Sequence, residues 1–499
     1  MARERRTVNQ SDVDELRRLL SGTQAHVLTS SDPGYGASIE RWSLAAVKPA
    51  GVSILPSSSE EVAIAIKYAS SHYLDVAVKG GGHSTAGASS SDGGLLIDLG
   101  RMRKVEVDVE KQQLHVQGGC IWADVDEAAW QHKLATVGGT VADTGVGGLT
   151  LGGGYGHLSG SRGLVIDNTI SITTVTADGT IVRASKTENT DLFWALNGAG
   201  QNFGVTTEFV LRAYRQEEVY AGTLVFPPSP DVISKLVTIV NDLYYVPGEG
   251  TPTKTKGQLN SLLAIGRPPD AGGQTVTLFI FAFDGNETQA KKLLQPIYTL
   301  GPLVDMTSMK SYPEVNKQIP TAPGFRSSMK GAAFVLPIRE EFVHTLLSKY
   351  NTFLDSQPDA QGSLLAWELY DPTIVVASDE GCFANRGYHL NSLIMPLWSK
   401  AENDKECRQF ARDLSLEFKH ELERKGERTG DGVEGGASVR GKKNAVLLYG
   451  NYDQYDEKSR DIFGDNYPRL QEIKARYDPD NMFDKLFAIQ PSGAGTNGA

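Results

Sequence analysis

The chain has 499 residues, too many for one small core and enough for two large domains or three ordinary ones. Its 40% hydrophobic and 22% charged residues are the composition of a globular protein. With 49 Lys and Arg against 60 Asp and Glu the formal charge is −11, which excludes a nucleic-acid binder that works through a basic face.

The first residues, Met1 to Gln10, carry charge but no apolar run, so no secretory signal is read there and an intracellular location is expected. A helix is predicted from Asp12 to Leu20 and a short strand from Val52 to Leu55, ended by Pro56. Ser58 with Glu61 reads as a capping box, followed by Val62, Ile66 and Ala69 at helical spacing. The strand Asp75–Lys79 runs directly into Gly80-Gly-Gly-His83. Strands are predicted at Gly94–Leu99, Val105–Val109 and Gln113–Val116, then a helix from Trp122 to His132, then strands Ile170–Thr176 and Thr180–Ala184.

Past about residue 215 the pattern changes. Helices Pro230–Tyr244, Glu287–Tyr298 and Glu402–Lys425 alternate with strands such as Asn260–Ile265 and Thr275–Ala282, the pattern of an antiparallel sheet covered by helices. The Gly- and charge-rich stretch 425–436 reads as a mobile loop. A strand, Leu447–Tyr452, and a helix through Tyr467, Leu470, Ile473 and Tyr477 close the chain. No run approaches the roughly 18 apolar residues of a membrane span, and no membrane association is expected. Cys120, Cys382 and Cys407 are an odd number and far apart, so neither a disulfide framework nor a metal site is expected.

Glycine is the unusual component. There are 53, and 24 of them fall between Gly80 and Gly204 without a G-x-y period, which points to main chain held close to a large ligand rather than to a linker. Gly80-Gly-Gly-His83-Ser84 follows a buried strand and can form a nest of N–H groups for anions, above all phosphate. The histidine at its end is a nucleophile at neutral pH, able to attack a flavin at the 8α-methyl carbon. A tight turn whose histidine bonds its own loop is the other reading of these five residues. The run Gly138–Gly148, with Leu149 to Gly156 after it, and the run Gly198–Gly204 do not fit G-x-G-x-x-G and follow no clear strand, which disfavours a Rossmann fold. Their number and closeness favour a cradle for an extended cofactor.

The order of motifs resembles the berberine-bridge-enzyme-like flavoproteins, of the vanillyl-alcohol-oxidase/PCMH fold type. The matching pieces are Val52-Ser-Ile-Leu-Pro56, Val78-Lys-Gly-Gly-Gly-His-Ser84, Gly145-Val-Gly-Gly148 and Gly152-Gly-Gly-Tyr-Gly156. They continue through Gly163–Asn168, Asp191–Ala195, Asn202–Val205, Tyr449-Gly-Asn-Tyr452, Phe463–Asn466 and Tyr477–Phe483, spanning residues 45–485. The resemblance implies an α+β protein. A PCMH-type FAD-binding domain would occupy residues 1–215, with its core at about 45–215. A substrate domain would follow over 216–440, and a segment at 441–499 would return to the first domain.

It also implies bound FAD, linked covalently through His83. Lys79, Gly80, Gly81, Gly82 and Ser84, with Thr144, Gly145, Gly147, Gly148, Gly152, Gly154, Tyr155 and Gly156, would cradle the pyrophosphate and ring, and Asn451 would contact the flavin. Many relatives carry a second link through a cysteine. Val141 stands in its place here, so one histidyl link and no cysteinyl link is expected, with Cys120 read as a small buried group. Thr144 occupies the position that governs O2 access, leaving oxidase or dehydrogenase open, with oxidase the family habit.

On the substrate side, Phe383-Ala-Asn-Arg386 matches a family element, and the strand within Tyr388–Trp398 offers Asn391 and Leu393 where Glu or Gln is common. With no carboxylate on that strand, Tyr449 and Tyr452 are the candidate bases and Asn391 a catalytic neighbour. Glu368, Tyr370 and Arg386 are candidate substrate contacts. Glu368 also reads as an ordinary solvated or paired carboxylate, each tyrosine as packed core, and His157 and His389 as structural. The activity implied is hydride transfer from a small alcohol, carbohydrate or secondary metabolite to FAD, with O2 as the expected oxidant. A redox-neutral isomerisation or cyclisation and a non-catalytic flavin-binding protein are the alternatives. Substrate identity and oligomeric state are not legible.

Overall fold

A computed structural model describes residues 5–268, 271–319, 324–427, 446–452 and 456–493. Ser58 accepts the N–H of Glu61 and caps the helix Ser59–Ser71, which buries Val62, Ala65, Ile66 and Ala69. Glu61 does not close the expected box; its carboxylate takes the main-chain N–H groups of Ser57 (2.6 Å) and Gln24 (2.7 Å) instead. The helix sits on a four-stranded sheet ordered His26–Leu28, Val52–Leu55, Leu95–Asp98, Val76–Lys79, the last three parallel. Strands covered on both faces read as continuous apolar runs, as Leu95 to Ile97 do. A second sheet is antiparallel, ordered Val105–Asp108, Gln113–Gln117, Val205–Arg212, Thr169–Val175, Ile181–Ser185. Against it lies the helix Thr190–Ala199, which no periodicity announces because Leu192, Phe193, Ala195, Leu196 and Ala199 are buried on all sides.

The third sheet has eight antiparallel strands. Its path runs Val304–Asp305, Val219–Phe226, Val276–Phe283, Leu259–Gly266, Leu364–Leu369, Leu390–Met395, Lys330–Phe334, with Ser308–Lys310 also paired to Val219–Phe226. Helices Pro230–Tyr244, Glu340–Ser356 and Asp404–Arg424 cover one face, as expected for an α+β chain. Trp367 packs towards these helices, 6.0 Å from the ring of Phe418, and Phe353 stacks on Phe410 at 3.8 Å. The two-residue period of a strand therefore turns Glu368 and Tyr370's side of the strand the opposite way, towards the glycine-rich half. The helix expected over 287–298 breaks into Glu287–Leu293 and Gln295–Tyr298, because Pro296 supplies no N–H.

Leu447–Tyr452, expected as a strand, is a turn in which the N–H of Tyr452 donates to the carbonyl of Tyr449 (2.9 Å); Gly450 and Asn451 are turn formers. The loop expected over 425–436 lies outside the described residues from 428 onward. The helix Tyr467–Tyr477 carries the most deeply buried ion pair, Lys474 to Asp478 at 2.6 Å, with both side chains wholly out of water. Lys474 Nζ also donates to the carbonyls of Asn202 (2.6 Å) and Phe483 (2.8 Å), and Asp478 accepts the N–H groups of Met482 and Phe483. This one cluster pins the end of the chain to the third glycine loop. Lys474→Met should cost about 3–5 kcal/mol, because it strands a buried carboxylate; urea denaturation of the two proteins measures the difference.

Candidate active site

The strand Val76–Lys79 ends in the glycine turn, where Gly82 takes a φ of +72°. Among the described residues, the N–H groups of Gly81, Gly82 and His83 find no acceptor, which leaves a row of donors free for an anion. Gly81 lies directly on Gly145. A Cβ on Gly81 would come within 2.6 Å of the Gly145 Cα, and one on Gly145 within 2.8 Å of the Gly81 Cα. The first two glycine runs therefore meet main chain to main chain, and only glycine permits it. Gly80 borders the carbonyl of Gly118, and Ser84 Oγ accepts the N–H of Ala88. His83 Nε2 lies 3.3 Å from Asp143 Oδ1, and its ring stacks on Trp42 with centroids 5.4 Å apart. Lys79 was expected in the cradle, but its ammonium is committed elsewhere: it pairs with Asp98 at 3.2 Å and donates to the carbonyls of Ala37 and Ser38.

Thr144 and Gly145 lead into the short helix Val146–Leu151, which holds Gly147 and Gly148 in its first turn. Beyond it, Gly152 faces the amide of Asn451, whose Nδ2 donates to the carbonyl of Leu149 (3.1 Å) and to Tyr449 Oη (2.8 Å). The C-terminal turn thus returns to the glycine run through Asn451. Gly154 and Gly156 lack side chains for packing reasons, against Val165 and against the main chain of Gly138.

Tyr155 carries the run towards the large sheet. Its ring meets Tyr449 edge-on at 4.8 Å, Tyr449 meets Tyr452 at 4.9 Å, and Tyr370 lies 5.2 Å from Tyr155. Behind this aromatic cluster is a narrow cavity lined by Tyr155, His157, Gln318, Glu368, Tyr370 and Tyr452 together with aliphatic walls. Glu368 Oε1 accepts the hydroxyl of Tyr452 at 2.7 Å, while the buried Oε2 has no hydrogen-bond partner. Burial pushes its carboxyl up to about 7, partly opposed by Tyr452 and Asn391. Asn391, from the neighbouring strand, is buried beside it with its Nδ2 unpartnered and its Oδ1 3.4 Å from Asn385 Nδ2.

Three expectations change. No carboxylate stands on the strand Leu390–Met395, but Glu368 lies on the adjacent strand Leu364–Leu369, where it is hydrogen-bonded to Tyr452 and not salt-bridged among the described residues. Tyr449 and Tyr452 are poorly suited to act as bases near neutral pH: burial and the nearby carboxylate raise both phenols further, and no cation among the described residues opposes it. Arg386 does not face the cavity. It pairs with Asp167 at 2.7 Å and donates to the carbonyls of Val375 and Glu380, a buried strut. His389 Nε2 lies 2.6 Å from Asn385 Oδ1, and burial pushes the ring down to about 4. Cys120 is wholly buried, its thiol pushed up to about 12. Gln318 and Asn260 carry no motif, and only the cavity brings them to attention.

A profile described as FAD binding domain matches residues 50–185, and one described as berberine and berberine like matches residues 448–489. The chain is 34% identical to the FAD-linked oxidoreductase pgmH of Aspergillus terreus, over 97% of both chains. It superposes with a TM-score of 0.76 on 6-hydroxy-D-nicotine oxidase from Arthrobacter nicotinovorans, at 24% identity over 94% of this chain and 98% of that one. The same TM-score, at 22% identity over 95% and 99%, relates it to glucooligosaccharide oxidase from Acremonium strictum, described with a 6-S-cysteinyl, 8α-N1-histidyl FAD. The residues present fit FAD: free N–H donors at Gly81 to His83 suit a pyrophosphate, and the glycine contacts leave no side chain to obstruct it. No described helix is long and apolar enough to cross a membrane.

Because Gly145 cannot gain a methyl group without separating the two loops, Gly145→Ala should cost about 1–3 kcal/mol by overpacking and lower the flavin-to-protein absorbance ratio. Gly36→Ala, where nothing lies within 4 Å of the new Cβ, is the matched control and should leave both unchanged.

Proposed function

Since the chain belongs to the berberine-bridge-enzyme-like FAD-linked oxidoreductases, we propose that it oxidises a small-molecule alcohol at the cavity beside Tyr155, with Glu368 as the proton acceptor. The buried, unpartnered Oε2 of Glu368 carries this reading. Bound FAD supplies the hydride acceptor, a chemistry no side chain offers.

The chain's own contribution is positioning and proton transfer. Tyr452 holds Oε1 of Glu368 and so turns Oε2 to the cavity, where a substrate hydroxyl can donate to it. Transfer of that proton to Oε2 leaves the carbon bearing the oxygen ready to release its C–H pair as hydride. A carboxyl at about 7 is matched to this work near neutral pH, since it is ionised often enough to accept and basic enough to pull. Asn391 lies where its amide can steady the oxygen atoms as charge moves. Tyr449, held by Asn451, closes the cavity on the glycine-run side.

His83 is the single covalent attachment point. Its Nε2 faces Asp143, which orders the ring and leaves the other nitrogen to bond the flavin. Val141 has no nucleophile, so no thioether forms. O2 reoxidises the reduced enzyme, in keeping with the relatives named as oxidases.

Two outcomes test these assignments. For Glu368, kcat/KM should rise with pH through a midpoint at about 7, as the carboxyl ionises. Glu368→Gln should lower kcat by about 10²–10⁴ and abolish that step. Folding raises this carboxyl above its ordinary value of 4.5, so the stability held by the protonated form is lost as pH climbs from there to about 7. Glu368→Gln should therefore melt higher than the parent above neutral pH while being far slower, a pairing that simple misfolding cannot give. For His83, acid precipitation should leave the parent protein yellow and His83→Ala colourless; retained colour in the variant would move the link elsewhere.

A further inference from the structure

Behind Glu368 runs a line of buried polar side chains. His389 Nε2 lies 2.6 Å from Asn385 Oδ1, and Asn385 Nδ2 lies 3.4 Å from Asn391 Oδ1. Asn391 in turn stands beside Glu368 on the neighbouring strand. His389, Asn385 and Asn391 are each no more than 3% exposed. The register explains why the line ends at the carboxyl. Trp367 pairs with Ser392 in the antiparallel ladder, so Glu368 and Asn391 are the next pair and share the opposite face.

The protein fixes the sense of this line. Burial pushes the His389 ring down to about 4, so at neutral pH it is uncharged and carries one N–H. The main chain of Leu447 approaches the ring but completes no hydrogen bond with Nδ1, whereas the Asn385 oxygen meets Nε2. A carboxamide oxygen can only accept, so Nε2 holds the proton and donates it. Asn385 then has its NH2 left for Asn391, which receives it on Oδ1. What Asn391 turns to Glu368 is therefore its own NH2. That group completes no hydrogen bond among the described residues, yet it opposes the effect of burial on the carboxyl. Reversing the line would set Asn391 Oδ1 against an ionised carboxylate, oxygen to oxygen with no proton between them, and a buried site has no water to relieve that contact.

We propose that Asn385 and His389 are positioning residues for the oxidation: through Asn391 they keep an N–H group aimed at Glu368, which holds the carboxylate ready for a substrate proton. Neither residue lines the cavity, so each acts through another. Their part in the reaction rests on Glu368 as proton acceptor, while their effect on its carboxyl does not. The other titratable groups that feel Glu368 are phenols: Tyr449 and Tyr452 from the C-terminal turn, Tyr155 from the glycine run and Tyr370 from its own strand. Burial raises all four, so they stay protonated through neutral pH. His157, on the cavity wall, is pushed down to about 4 by burial and stays uncharged there. No Lys or Arg lines the cavity among the described residues. Asn391 is thus the neighbour whose orientation the line controls.

Infrared difference spectra of the flavin-loaded enzyme across neutral pH test this without turnover, by following the protonated-carboxyl band that Glu368→Gln removes. In the parent the band should titrate with a midpoint at about 7. His389→Leu removes the first donor and should raise that midpoint by about one pH unit. Asn385→Leu breaks the next link and should do the same, so the test survives if either variant fails to fold. His389→Gln, whose amide can place an N–H where Nε2 stood, should keep the midpoint of the parent. The rise of kcat/KM with pH should move with the band, and at pH 7 kcat/KM should fall about fivefold in His389→Leu, as the ionised fraction does. A midpoint unmoved in the leucine variants, or moved as far by His389→Gln, would overturn the positioning role. A band that shifts as expected while kcat/KM keeps the pH dependence of the parent would instead overturn Glu368 as proton acceptor and leave the line standing.

Discussion

A carboxylate whose oxygens are held out of water is a costly element of this site, and its neighbours are arranged around it. Moving Glu368 from its ordinary value to about 7 corresponds to roughly 3 kcal/mol against its ionised form. The fold tolerates this because one oxygen is met by Tyr452 and because the strand carrying it is anchored from behind by Trp367. Alternation does the rest. A residue that must bury its indole among helices forces the next side chain onto the other face of the sheet. The position of the carboxyl is thus set by packing on the opposite side of the sheet.

The opposite wall of the site obeys a different constraint. There the main chain itself is the building material, with Gly81 against Gly145 and Gly156 against Gly138. Close approach of this kind has no give, because backbone cannot rotate out of the way as a long side chain can. Free N–H groups at Gly81 to His83 are the other product of the same geometry, since a turn wound this tightly points several donors one way. Rigid loops on one side and a stiff eight-stranded sheet on the other leave little freedom for the space between them. That suits hydride transfer, where reacting atoms must be placed within a few tenths of an ångström.

These two walls differ in how well they could be read from the chain. Glycine runs are local, so the turn at Gly80–His83, its strand and the resemblance they carry were legible, and so was the antiparallel sheet under helices. Glu368 was visible as a residue and opaque as a base. Its neighbours along the chain say nothing of which strand lies alongside, and the pairing of Leu364–Leu369 with Leu390–Met395 is a long-range fact. Lys79 and Arg386 failed for a related reason: a charge looks available until its distant partner, Asp98 or Asp167, is known. The turn at Leu447–Tyr452 was misread because its apolar residues alternate as in a strand, while Gly450 and Asn451 favour the bend that brings Tyr452 to Glu368.

That bend makes the end of the chain part of the chemistry. Tyr452 orients the base, Asn451 bridges the glycine run and Tyr449, and a few turns later Lys474 and Asp478 lock the last helix to Asn202 in the third glycine loop. Two of these contacts, Asn451 to Leu149 and Lys474 to Asn202, join the C-terminal segment to the glycine-rich first half, and one, Tyr452 to Glu368, joins it to the large sheet. The carboxylate proposed as proton acceptor takes its orienting hydroxyl from the C-terminal segment. An incomplete chain would hold the glycine loops and could hold Glu368, yet would lack the residue that turns Oε2 into the cavity. The wholly buried Lys474–Asp478 pair in turn holds the following helix against the third glycine loop, since separating either partner would leave a buried charge unmet.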